Sequence, residues 1–124
     1  MNFEDTLKKM IEGAAAAAQV HWKDFRSFAE LEFERLAQAG AQLEADYIAD
    51  MAAAELEQNA TERDELKRKA ALRAQLGFEN LRLATEGVVT AAKADAKIAA
   101  QDAINAALEV LRTAINKSVG IALL

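Results

Sequence analysis

GAAAAAQVHWKDF, residues 13–25, runs five alanines in a row into the only histidine and the only tryptophan of the chain. About one and a half helical turns thus carry almost no side-chain volume before two of the largest side chains arrive. Alanine is the best helix former, and its small side chain lets a bulky partner face come close. Trp22 then fills space where that partner shrinks. The stretch reads as the packed face of a helix rather than a chemical site.

The rest of the chain agrees. Its 124 residues contain no proline and only five glycines, and hydrophobic residues reach 52% while aromatics stop at 6%. Proline costs about 3 kcal/mol inside a helix, so its absence together with abundant alanine favours helix nearly throughout. No window alternates apolar and polar residues over a strand's length. The fold class is all-α.

From Ile11 one stripe recurs at steps of three or four: Ile11, Ala15, Ala18, Trp22, Phe25, Ala29, Phe33, Leu36, Gly40, Leu43, Tyr47, Met51, Ala54. These positions share one helix face. Ile11, Trp22 and Phe33 are spaced by elevens, a period that suits nearly straight packing rather than a heptad supercoil. The second half repeats the theme with Leu76, Leu83, Gly87, Ala91, Ala94 and Ile98, then Ile104, Leu108, Leu111, Ile115 and Val119.

The two stripes predict a long antiparallel hairpin, one domain over 1–124, with helices at roughly 3–58 and 62–118. Residue i then lies opposite roughly 120 − i. Phe33 faces Gly87, Phe28 faces Ala91 and Ala92, Leu43 faces Gly77, and Trp22 falls beside Ile98 and Ala99. The alanines at 14–18 meet Ile104 and Leu108. Large meets small along most of this seam, as dense packing needs. At the turn, Asn59 reads as the last residue of the first helix, and Thr61 with Asp64 resembles a capping box. Two alternatives stay open: three helices with a break at Gly77, where Phe78 follows a C-terminal glycine, and one continuous helix, since no glycine or proline enforces a turn near residue 60.

Charge narrows the function classes. The net charge is −5, with 12 acidic and 5 basic side chains in residues 1–60 (net −7) and 8 against 10 in residues 61–124 (net +2). The halves attract, and the acidic whole is a poor nucleic-acid binder. Arg63 to Arg73 is interleaved with acids, so it is a mixed-charge helix start rather than a nucleic-acid patch. There is no cysteine, hence no disulfide framework, which is compatible with a reducing compartment. No apolar run reaches the ~18 residues of a membrane span, and Glu12 interrupts any signal-peptide core. The expected location is cytoplasmic or within a macromolecular assembly.

Catalytic chemistry finds little support. His21 has Asp24 at i+3 but no nearby serine or cysteine, and it reads as a residue flanking the packed face. Glu30, Glu34, Glu44, Asp46, Asp50 and Glu55 could supply a carboxylate-bridged metal site if the chain dimerised. The Glu-x-x-His pairs of such four-helix proteins are absent, however, and a solvated acidic face explains the same residues. No phosphate loop occurs. The expectation is a protein that is not an enzyme and needs no cofactor.

What remains is packing. Trp22, Phe25, Phe28, Phe33, Gly87, Ile98, Ile104, Leu108, Leu111 and Ile115 are the candidate packing and interface residues. A two-helix rod buries one stripe per helix. That leaves Phe28, Leu31, Ile48, Leu72, Phe78, Leu81, Val88 and Val110 to be covered by something else. Pairing two hairpins into a four-helix bundle would cover them. The expected role is structural or adaptor-like, with partners that are further copies of the chain or another helical protein. The alternative is a lipid surface: the face from Ile98 onward is wide and the end, SVGIALL, is uncharged. Its few cations favour burial instead, with Phe3, Leu7, Met10 and Ile11 meeting Leu111, Ile115 and Val119.

Overall fold

The computed structural model describes residues 1–124, which are 89% helical with no strand. Asn2 opens the first helix: its side chain accepts the Asp5 amide at 2.8 Å, and Glu4 and Asp5 complement the dipole of α1 (Phe3–Ala18). The helix stops at Gln19, which takes φ 54°, ψ −125° while its amide still bonds the Ala15 carbonyl. A short turn, Gln19–His21, leads into α2 (Trp22–Glu55). Asn59 then caps α3 (Ala60–Ala84) by accepting the Glu62 amide at 3.0 Å, while the Glu57 carboxylate accepts the Asn59 amide at 3.1 Å. Thr85 donates its hydroxyl to the Arg82 carbonyl and joins α3 to α4 (Glu86–Ala91). Extended backbone at Ala92 and Lys93 turns the chain into α5 (Lys97–Val119), which Gly120 ends in the left-handed conformation at φ 78°.

The expected antiparallel pairing is present, but folded double. Leu43 lies against Gly77, Asp50 accepts from Arg73 at 3.1 Å, and Glu55 pairs with Lys67, so α2 and α3 run antiparallel near the 120 − i register. Along α1 and α5, Gly13 sits beside Val110, and the Met1 ammonium donates to Ser118 Oγ at 3.2 Å, again close to that register. At Gln19 the chain reverses, so α1 lies back along α2 and Met1 reaches Glu44. The segment between α3 and α5 reverses the other strand. As a result α2 and α5 lie side by side and parallel, with Gly40 against Leu111 and Glu44 against Ser118.

Three expectations change accordingly. Helices over 3–58 and 62–118 are interrupted at Gln19 and between Thr85 and Ala96. The single continuous helix is excluded by the turn between α2 and α3, where Asn59 is the first cap of α3 rather than the last residue of α2. Gly77 makes no break; it lies inside α3, where its missing side chain admits Leu43. Doubling over has a clear driving force. In a straight rod Met10, Leu111 and Ile115 would have one partner face, whereas here all three are fully buried in one core with Phe33.

The α2 stripe is where the spacing put it: Phe25, Ala29, Phe33, Leu36, Gly40, Tyr47 and Ala54 are buried, and Leu43 and Met51 half-buried. Ile104, Leu108, Leu111 and Ile115 are buried too. Between them the expected face is wrong. Leu76, Leu83, Gly87, Ala91, Ala94 and Ile98 are exposed, and Ala70, Ala74, Phe78, Thr85, Val88, Ala92 and Ala96 are buried instead. Opposite the large residues of α2 the inner face needs small side chains, and the alanines of α3 supply them. The alanine run behaves similarly: Ala14 and Ala18 are buried. Half-buried Trp22 meets Phe25 edge-on, with centroids 5.6 Å apart, and stacks on Phe33 at 6.4 Å.

Two glycines test this packing. A side-chain carbon on Gly40 would stand 2.8 Å from the buried Leu111, so Gly40→Leu should lose about 1–3 kcal/mol by overpacking, with partial recovery in Leu111→Ala. Gly87 faces open space, which overturns its pairing with Phe33. Gly87→Ala should instead gain about 0.5–1 kcal/mol of helix propensity in urea denaturation. Gln19 sits where non-glycine residues store about 1–3 kcal/mol of strain. Gln19→Gly should therefore raise the denaturation midpoint, whereas a helix running straight through residue 19 would make the same change destabilising.

Candidate interaction surface

The ten candidate packing residues divide by burial. Phe25, Phe33, Ile104, Leu108, Leu111 and Ile115 lie in the chain's own core and hold the fold together. Trp22 is half-buried beside them. Phe28, Gly87 and Ile98 are exposed, and Ile98 points to solvent rather than to Trp22. Among the off-stripe residues, folding double buries Phe78 and Val88 and half-buries Leu81 and Val110. Phe28, Leu31, Ile48 and Leu72 stay exposed.

An ordered apolar feature left outside lies on α3. Leu72, Leu76 and Leu83 are 50%, 57% and 52% exposed. At about 100° per residue they fall within an arc of about 40°, roughly opposite the buried Ala70, Ala74 and Phe78. Thus α3 is apolar on two faces: small residues inward, leucines outward. Glu79 lies on the leucine face with its carboxylate held by Arg82 at 3.1 Å. That hydrogen bond, and then the charge of Arg82, keep the Glu79 carboxyl below the usual range, as Lys67 does for Glu55 and Arg68 for Glu65. Each such pair adds stability that is present above the ordinary carboxylate range and is lost as pH falls through the lowered value. All three lie in solvent, where such pairs contribute little.

One polar cluster was missed by counting Glu44 with the solvated acidic face. Glu44 is buried: its Oε1 accepts from the Met1 ammonium at 3.0 Å and from Ser118 Oγ at 2.6 Å, and its Oε2 has no partner. The signal was in the spacing, since Glu44 lies between Gly40 and Tyr47 on the apolar stripe. The cluster ties together α2, the start of α1 and the end of α5. The other carboxylates singled out are dispersed. Glu30 pairs with Arg26, Asp46 with Gln42, Asp50 with Arg73 and Glu55 with Lys67, and no three acidic or histidine side chains come together in a ligand-like group. His21 is half-buried in the turn before α2, with Nδ1 3.5 Å from Asp24.

Two open clefts complete the surface. One of about 560 Å³ runs between α2 and α3 over Leu43, Ala74 and Gly77, rimmed by Asp46, Asp50 and Arg73. The other, about 830 Å³, lies between α1 and α5 over Gly13 and Val110, with both charge signs on its rim. No protein-family model, curated protein or solved structure matches the chain.

The Glu44 cluster makes a stability prediction. Removing one member of a buried pair strands the other, so Glu44→Ala should lose about 3 kcal/mol. Ser118→Ala should lose only about 1 kcal/mol, and Glu44→Gln, which keeps an acceptor, should fall between them in chemical denaturation.

Proposed function

We propose that this chain is a non-catalytic structural or adaptor protein that acts through helix–helix packing, in a homo-oligomer or as a subunit of a larger assembly. The observation carrying this reading is the outer face of α3, where Leu72, Leu76 and Leu83 line up in solvent. Ordered apolar stripes are uncommon on soluble monomers and mark association surfaces. The partners that fit are further copies of the chain or another helical protein, and the net charge of −5 disfavours nucleic acid. The working location is the cytoplasm or the assembly itself; no helix is long and apolar enough to cross a membrane.

A lipid surface is the competing occupant, and the C-terminal end argues against it. Leu123 is buried with Tyr47, Ala70 and Ala74, and its carbonyl accepts from Gln75 at 3.1 Å, so part of the uncharged end is engaged by protein. Light scattering on a sizing column, with and without liposomes, tests the proposal. Its expected result, with the protein loaded near millimolar, is a mass above the 13.4 kDa of one chain that lipid does not change. A chain that stays monomeric and lipid-indifferent at every loading overturns it, and a monomer recruited by liposomes replaces it with the lipid reading.

A further inference from the structure

The leucine face of α3 carries its charges in a definite order. Reading along it gives Lys69, Leu72, Leu76, Glu79, Leu83 and Glu86, at alternating steps of three and four, all exposed. The basic residue stands at one end and the acidic residue at the other. Neither Lys69 nor Glu86 has an ion-pair partner within the chain, whereas Glu79 is already held by Arg82. The backbone stays helical from Ala60 to Ala91 with only Thr85 between α3 and α4, and Thr85 itself keeps right-handed helical angles.

We infer that this face pairs, antiparallel and about a two-fold axis, with the same face of a second copy of the chain. Resting on the homo-oligomer reading above, the inference fixes the partner and the register. The alternating spacing makes Lys69, Leu76 and Leu83 one class of seam position and Leu72, Glu79 and Glu86 the other. Antiparallel helices set one class against the other. With the axis between residues 77 and 78, Leu72 meets Leu83 of the second copy and Lys69 meets its Glu86. Leu76 lies along the aliphatic stem of its Glu79, whose carboxylate reaches outward to Arg82. At the margins Arg73 falls opposite Asn80, and Arg82 opposite Gln75, so no like charges meet.

A parallel pair would do the reverse. Lys69 would face Lys69, Glu79 would face Glu79 and Glu86 would face Glu86, three repulsive layers around the same leucines. Antiparallel alignment also sets the helix dipoles head to tail. The contact is modest. Lys69 to Glu86 spans about 26 Å of helix, and a stripe about 10 Å wide buries on the order of 300 Å² per copy, below the ~800 Å² of a standard interface. The dimer is therefore weak and concentration-dependent.

Sedimentation equilibrium from micromolar to near-millimolar protein tests this, with circular dichroism to check that each variant keeps its helix. Wild type should rise from the mass of one chain toward twice that mass. Leu76→Asp, at an exposed position, should stay monomeric while remaining folded. Lys69→Glu and Glu86→Lys should each weaken association about tenfold, and the double variant, which exchanges the two charges, should recover it. Recovery is specific to the antiparallel register, because in a parallel pair the exchanged charges still face their own kind. A double variant no stronger than the singles overturns the register. Association that survives Leu76→Asp overturns the pairing through this face but leaves the homo-oligomer reading standing. A monomer at every concentration overturns both.

Discussion

Leu111 fits against α2 because Gly40 has no side chain, and much of the architecture depends on that approach. A single added carbon at Gly40 would stand 2.8 Å from one Leu111 methyl and 3.1 Å from the other. Only with the backbone of α2 this close can α5 lie parallel to it, with α1 held against both. The contact then places Leu111, Ile115 and Met10 in one fully buried cluster with Phe33. Similar economy of volume recurs at Gly77, which receives Leu43, and at Ala14 and Ala18. In a chain with so few aromatic residues, close backbone approach replaces bulk as the source of packing density.

That economy explains what the residue pattern disclosed and what it hid. Along α2 the large and small residues share one stripe, so spacing alone identified Phe25 through Ala54 as the buried face. In α3 two apolar faces compete, one of leucines and one of alanines with Phe78. A hydrophobicity-based stripe chooses the leucines, yet the wall opposite already holds Phe33, Leu36 and Tyr47, and apart from Phe78 the side chains that α3 packs against it are small. Complementarity of volume outweighed hydrophobicity of the individual residue. The same rule applied locally did succeed at Leu43 and Gly77, where large against small was expected and is found.

The fold-over at Gln19 was not legible because nothing local requires it. Glutamine has no preference for φ 54°, the alanines before it are the best helix formers, and neither glycine nor proline flanks it. The conformation is imposed from a distance: a strain of about 1–3 kcal/mol at one residue is offset by the apolar area that α1 buries on α2 and α5. The Glu44 cluster adds direction to that collapse. A buried carboxylate needs its donors in place, so the ammonium of Met1 and the hydroxyl of Ser118 must arrive together. Apolar faces can slide past one another by a turn at small cost. A carboxylate with two fixed donors cannot, and this pins the mutual register of α1, α2 and α5.

For function, the decisive asymmetry lies within α3 itself. Were its leucines needed for the chain's own stability, they would face α2, where apolar burial is worth most. They face water instead, and apart from Phe78 the inward positions use residues that bury less area each. Leu72, Leu76 and Leu83 add helix propensity but are only about half covered within the chain, and their exposure carries a liability to nonspecific association. In the proposed pairing, Lys69 and Glu86 at the two ends, with Glu79 between the leucines, make that surface directional. A partner whose charges run the opposite way would be attracted, and like-charge repulsion would reject one aligned in parallel. On this reading the helix combines a small-residue face that closes the monomer with a leucine face whose charge order discriminates among partners, the property an assembly subunit would require.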